Sequence, residues 1–163
     1  TDLVRLPEYH IEACIGCEQC RRDKTCTQFY DGMHLLYPKI EEARILVLGS
    51  PTYNYNITPW VKAFIDRFYP YFDFSNPRPG PYRSRLQDQG RQAVVVAVCE
   101  QKEASELGYT MPAMSEVLKV IGYRIAALHL FTHTSDVVGK EGRMLGKAIV
   151  LNQLPGHLHP VDR

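Results

Sequence analysis

The sequence predicts an α/β fold built on a doubly wound parallel sheet, and three observations lead to it. Two apolar runs, "ILVL" at Ile45–Leu48 and "VVVAV" at Val94–Val98, do not alternate with polar residues, as expected of parallel strands buried on both faces. Helical patterns lie between the runs and follow them. Strand and helix then alternate along the chain, which is the signature of a sheet wound with helices on its faces. The 163 residues suit a single domain, 1–163, with an adequate core.

Leu3–Leu6 reads as the first strand, followed by a cysteine loop at 14–26. "GMHLLYPKIEEA" reads as a weak helix that Pro38 breaks or kinks. Ile45–Leu48 is the next strand. "TPWVKAFIDRF" then supplies Thr58 as N-cap, Pro59 at the first helical position, and Val61, Phe64, Ile65 and Phe68 at helical spacing. The stretch from Tyr71 to Gly90, with several prolines and arginines, reads as a long loop: a lid, an oligomer contact or a solvated insertion. After Val94–Val98 comes a helix with Thr110 as N-cap and Met114, Val117, Leu118 and Ile121 inward, closed by Gly122. Ile125–Leu130 is the last strand, and Leu145, Ala148 and Ile149 mark a helix over about 140–153.

Composition removes several function classes. A formal net charge of +1 gives no electrostatic case for nucleic acid or a membrane surface. No apolar run approaches the ~20 residues of a transmembrane helix, and no signal-peptide pattern opens the chain. The expected location is the cytoplasm.

Four of the five cysteines, Cys14, Cys17, Cys20 and Cys26, fall in "CIGCEQCRRDKTC". A disulfide framework would spread its cysteines through a small, loop-rich chain. Zinc sites usually pair two C-x2-C knuckles across a spacer. Here the spacing is C-x2-C-x2-C-x5-C, which suits a cubane [4Fe–4S] cluster better: three thiolates wrap one face and a fourth returns from nearby. Zinc and an empty loop stay open as alternatives. Arg21, Arg22 and Lys24 are placed to offset the charge of a thiolate-ligated cluster, or else form a solvated basic turn.

After "ILVLG" comes "SPTYNYNITPW". Ligands of open parallel sheets bind at the carboxyl ends of the strands, which is where Ser50, Pro51, Thr52, Tyr53, Asn54, Tyr55, Asn56 and Ile57 would lie. Two tyrosines and two asparagines suit a flat heteroaromatic ring, whereas the bulky tract is poorly suited to phosphate. A tight turn between Pro51 and Pro59 is the structural alternative.

Together, "CIGCEQCRRDKTC", "YDGM" and "ARILVLGSPTYNYNITPWVKAFIDRF" resemble the iron–sulfur flavoprotein branch of the NADPH-dependent FMN reductase family. The matching motifs are the cysteine run, Asp31 to Met33, Ser50-Pro51 with Tyr53, and Lys62 to Arg67. The resemblance is strong over residues 3–70 and looser to about 154. It implies a flavodoxin-like sheet in strand order 2-1-3-4-5. It also implies FMN on the loops after the strands, here Ser50–Ile57 and Cys99, Glu100 and Gln101, with a [4Fe–4S] cluster on the cysteine loop. The electron donor stays open between NAD(P)H and a ferredoxin, and a homo-oligomer, dimer or tetramer, would bring a cluster near a flavin.

Two departures stand out. Nothing here matches the family's first strand and its Ser-Gly-Ser-Pro-Arg type phosphate loop. Leu3–Leu6 corresponds to the family's second strand, so the domain is expected to be incomplete at its N-terminus, with about 30–40 further residues, one βα unit, upstream. The loop "CEQKEASELGYT" is also more acidic than the family's glycine-rich run.

The function expected is electron transfer between FMN and a [4Fe–4S] cluster, with NAD(P)H or a small redox protein such as a ferredoxin as donor. No side chain is assigned as nucleophile or general base. The rival readings are an NAD(P)H-dependent FMN or quinone reductase without a functional cluster, and a non-enzymatic metal-bearing interaction domain.

Overall fold

A computed structural model of the protein describes residues 1–77 and 79–133. In chain order its elements are α1 (Cys20–Asp23), α2 (Met33–Glu42), β1 (Ile45–Pro51), α3 (Pro59–Asp66), β2 (Phe72–Phe74), β3 (Tyr82–Ser84), β4 (Gln92–Val98), α4 (Thr110–Val120) and β5 (Arg124–Phe131). The main sheet has the order β1-β4-β5, parallel throughout, with Leu48 opposite Val95 and Ser50 opposite Ala97. The helix expected over 140–153 lies outside the described residues.

The central strand behaves as its composition demands. Ala93, Val95 and Ala97 are fully buried, and Val96 nearly so. β1 differs: Leu48 and Ser50 turn into the core, whereas Ile45 and Val47 are exposed among the described residues. Its apolar run therefore covers one face only.

Four further expectations need correction. Leu3–Leu6 is not a strand; Leu6–Glu8 forms a 3-10 turn around Pro7, and Val4 and Leu6 pack against the core as an unpaired segment. An extended apolar run becomes a strand only where another edge accepts its backbone groups. Pro38 does not break α2. The proline removes one intrahelical hydrogen bond at a cost of about 3 kcal/mol, but Met33, Leu36, Tyr37 and Ile40 are all buried on one face. Buried Arg91 caps the helix end, donating to the carbonyls of Ile40 (3.0 Å), Glu41 (2.5 Å) and Ala43 (2.6 Å).

The stretch from Tyr71 to Gly90 is not a featureless loop. β2 and β3 pair antiparallel, Phe72 with Ser84 and Phe74 with Tyr82; Phe74 stacks on Tyr69, and the Tyr82 ring meets those of Phe72 and Phe74. Ser84 Oγ ties the hairpin to the body by donating to the Ile121 carbonyl at 2.7 Å.

Helix caps are mixed. Thr58 caps α3 as expected, accepting from the Val61 N–H. Thr110 is not a cap: it is the first helical residue and fully buried, and Tyr109 holds the cap position.

A buried ion pair joins the helices to the cysteine loop. Arg67, just past α3, donates from Nη1 to Asp31 Oδ2 at 2.7 Å and from Nη2 to Oδ1 at 3.2 Å; both side chains are at most 3% exposed. Asp31 also accepts from the Glu12 N–H (2.9 Å) and from the Met33 N–H (3.0 Å), which caps α2. Burial works against the Asp31 charge, but these donors hold its carboxyl below the usual carboxylate range.

Asp31→Asn should therefore destabilise the fold by about 3–5 kcal/mol at pH 7, the range for breaking a buried pair, measured by urea denaturation. The wild-type advantage is present above the unfolded carboxylate pKa of about 4. It fades as pH falls through the lower folded value.

Candidate functional site

The residues selected from sequence fall at two places, at opposite ends of α3. Ser50–Ile57 leads into its N-terminus, and the cysteine loop lies against its C-terminus. Eight helical residues separate the two by about 12 Å.

At the first place the chain leaves β1 and makes a two-residue reversal. Tyr53 N–H donates to Asn56 O (2.8 Å), and Asn56 N–H donates back to Tyr53 O (3.0 Å). Asn54 and Tyr55 both have positive φ, 48° and 63°, the geometry of a primed turn. Tyr55 tolerates it because Tyr109 N–H donates to its carbonyl at 2.7 Å. Gly108 makes room, since a Cβ there would lie 2.4 Å from the same oxygen. Sequence reasoning passed over Gly108 and Tyr109, and only the approach of the two loops reveals them.

Buried Ser50 anchors the turn; its Oγ donates to Pro51 O (2.8 Å) and accepts from Thr58 N–H (3.1 Å). The side-chain oxygen of Asn56 accepts from Ile57 N–H (2.9 Å); Asn54 and Asn56 are both exposed at the turn. The Tyr53 and Tyr55 rings are more than half exposed, and Ile57 is buried beneath them. Thr52 Oγ1 is buried without a partner.

Cys99 closes β4 nearby, but its side chain is buried, and its N–H donates to Phe131 O at 2.8 Å. Glu100 and Gln101 are exposed beyond it. The loops after β1 and β4 thus meet at the carboxyl edge of the sheet.

At the second place, Cys14, Cys17, Cys20 and Cys26 all line one cavity of about 120 Å³, closed by Phe29, Tyr37, Arg67 and Tyr69. All four are free thiols, graded from exposed Cys14 and Cys17 through half-buried Cys20 to buried Cys26. Gly16 (φ 69°), Glu18 (60°) and Lys24 (59°) take left-handed conformations that fold the run back on itself. Short α1 carries Cys20. Thr27 Oγ1 donates to Asp23 Oδ2 (2.7 Å), and His34 Nε2 donates to Cys26 O (2.9 Å), fixing the loop's far end.

Among the described residues no three His, Cys, Asp or Glu side chains converge closely enough to hold a metal ion; the thiols surround a volume instead. Burial, followed by the charges of Cys26, Cys14 and Cys17, pushes the Cys20 thiol up to about 11. The cavity resists accumulating thiolates unless a cationic centre compensates them.

The comparisons agree with this architecture. The fold is that of a flavodoxin-like α/β protein: an FMN-dependent NADH-azoreductase from Bacillus anthracis, solved in complex with FMN, superposes with a TM-score of 0.58 at 14% identity. That match covers 81% of this chain and 68% of that one. Azoreductase AzrA gives 0.58 at 13% identity, over 82% of this chain and 70% of that one.

Residues 1–115 match the NADPH-dependent FMN reductase family, and the chain belongs to that family. Two proteins of Archaeoglobus fulgidus named iron-sulfur flavoprotein are similar to it. One is 29% identical over 151 residues, spanning 90% of this chain and 62% of that protein. The other is 38% identical over 66 residues, spanning 40% and 32%. The chain thus spans less than two thirds of either relative's length.

In the metal-free protein at pH 8, thiol labelling read by mass spectrometry should modify Cys14 and Cys17 first and Cys20 more slowly. The Cys20 rate should rise as pH approaches 11. Equal rates at Cys17 and Cys20 at pH 8 would contradict the burial described.

Proposed function

We propose that the protein is an electron-transfer flavoprotein acting as one flavodoxin-like domain, with FMN on the carboxyl-edge loops and a [4Fe–4S] cluster on Cys14, Cys17, Cys20 and Cys26. The observation that carries the reading is the single cavity shared by all four thiols. A cubane presents four irons at different corners, so its ligands surround a volume rather than converge on a point. When bound, FMN exchanges electrons in pairs or singly and the cluster passes one at a time, so together they convert hydride chemistry into single-electron transfer.

The chain's own residues hold these groups. Exposed Tyr53 and Tyr55 offer ring faces to the isoalloxazine, and Asn54 offers its amide. Backbone groups of Cys99, Glu100 and Gln101 border the same edge. The cavity's Phe29, Tyr37 and Tyr69 keep water from its buried end, at Cys20 and Cys26. NAD(P)H or a small redox protein such as a ferredoxin is the electron donor.

The two sites lie at opposite ends of α3, so a homo-oligomer, dimer or tetramer, is what brings one chain's cluster beside another's flavin. Free thiols and an oxygen-sensitive cluster suit a reducing compartment, the cytoplasm. No described helix is long and apolar enough to cross a membrane.

Anaerobic purification with iron, sulfide and FMN analysis tests the whole reading; about four irons and one FMN per chain are expected. Cys17→Ser should abolish the brown absorbance near ~400 nm while flavin absorbance persists. Full iron retained in single serine variants of all four cysteines would refute the ligand set. Combined Tyr53→Ala and Asn54→Ala should weaken FMN binding by about 1 kcal/mol or more through lost stacking and hydrogen bonding. Unchanged affinity in a flavin-fluorescence titration would move the ring elsewhere.

A further inference from the structure

Four ionised thiols in one cavity concentrate negative charge, and the basic residues of the loop itself do not face it. Arg21 pairs with Glu18 at 3.8 Å and lies over the Phe74 ring at 4.4 Å. Arg22 pairs with Asp23, and Lys24 with Asp73. None of the three lines the cavity. Their side chains are committed to local acidic and aromatic neighbours.

Arg67 does line the cavity, reaching it from the end of α3 with its side chain 2% exposed. Nη1 and Nη2 are taken by Asp31, and Nη1 also donates to Glu12 O at 2.9 Å. Nε is buried and has no hydrogen-bond partner. Asp31 is not part of the cavity wall, so of the two paired residues only Arg67 borders the thiols. Burial opposes the Arg67 charge, but the hydrogen bond and the charge of Asp31 keep it ionised. A buried N–H left unmet is costly, and the four cysteine sulfurs are among the acceptors that line this cavity, beside the oxygens of Glu18, Gln19 and Gln28.

We infer that Arg67 donates its Nε–H to a sulfur of the cluster, either the Cys26 thiolate or an adjacent sulfide, and so raises the cluster's reduction potential. The inference rests on the [4Fe–4S] reading proposed above. Reduction adds one electron and no compensating cation. A fixed donor and the positive end of a buried pair stabilise the reduced form more than the oxidised one. Arg67 is thus a positioning and tuning residue.

The test uses the protein reconstituted anaerobically, beside Arg67→Lys, which keeps a cation for Asp31 but has no donor at the Nε position. Both should hold about four irons. At the wild-type midpoint potential the ratio of reduced to oxidised cluster should fall about tenfold in Arg67→Lys, equivalent to about 59 mV for one electron. Reduced wild-type protein labelled with 15N-arginine should also show a nitrogen coupling to the cluster by pulsed EPR. That measurement decides the matter alone if the variant does not fold. An unchanged potential at full iron, or no arginine coupling in the wild type, overturns the inference and leaves the cluster reading standing. A wild-type protein that takes up no iron overturns the cluster reading itself, and this inference with it.

Discussion

The Arg67–Asp31 ion pair holds together the parts that the candidate site is made of. Glu12 precedes the first cysteine and Asp31 follows the last, and both are bonded through this one pair. The cysteine run is thereby closed at its base, as a loop must be if its thiols are to share a cavity. The same carboxylate caps α2 through Met33, and the Arg67 carbonyl accepts the Tyr37 hydroxyl at 2.9 Å. A buried pair is costly to desolvate and is maintained only when its remaining groups are satisfied. Here Asp31 meets four N–H donors, and the guanidinium leaves only Nε without a partner.

The wall behind the thiols is aromatic and held neutral. Burial raises the phenols of Tyr37 and Tyr71 far above the ordinary tyrosine value, so both remain hydrogen-bond donors, Tyr37 to Arg67 O and Tyr71 to Tyr37 O at 3.4 Å. Their rings meet edge to face at 6.0 Å. Such a wall excludes water and contributes no charge of its own near neutrality. The charge balance of the cavity therefore falls to the thiols, to Glu18 and Asp66, and to Arg67, the one cationic residue among those that line it.

Helix α3 separates two kinds of chemistry. Its N-terminus is fed by the strained turn at Asn54 and Tyr55, where exposed rings stand at the carboxyl edge of the sheet. Its C-terminus ends at the thiol cavity. In a parallel sheet the chain must run back along the strand before the next one begins. Residues one helix apart in sequence are thus delivered to opposite ends of the domain.

What the sequence by itself determined follows from local physics. "VVVAV" can only be a buried strand, Thr58-Pro59 is a helix start, and C-x2-C-x2-C-x5-C brings thiols together because so few residues separate them. The tract from Ser50 to Ile57 announces its place by following a strand. The tertiary structure decided the rest, because those outcomes depend on what a segment meets. Pro38 stays helical because four side chains around it reach the core. Leu3–Leu6 stays unpaired among the described residues because no strand edge receives it. Phe74 and Tyr82 pair in a hairpin whose Phe74 ring stacks on Tyr69, a residue outside it. Arg67, the last letter of a helix motif, becomes part of the thiol cavity because folding brings Asp31 to it from 36 residues away. No local pattern encodes a contact of that separation; it exists only in the folded chain.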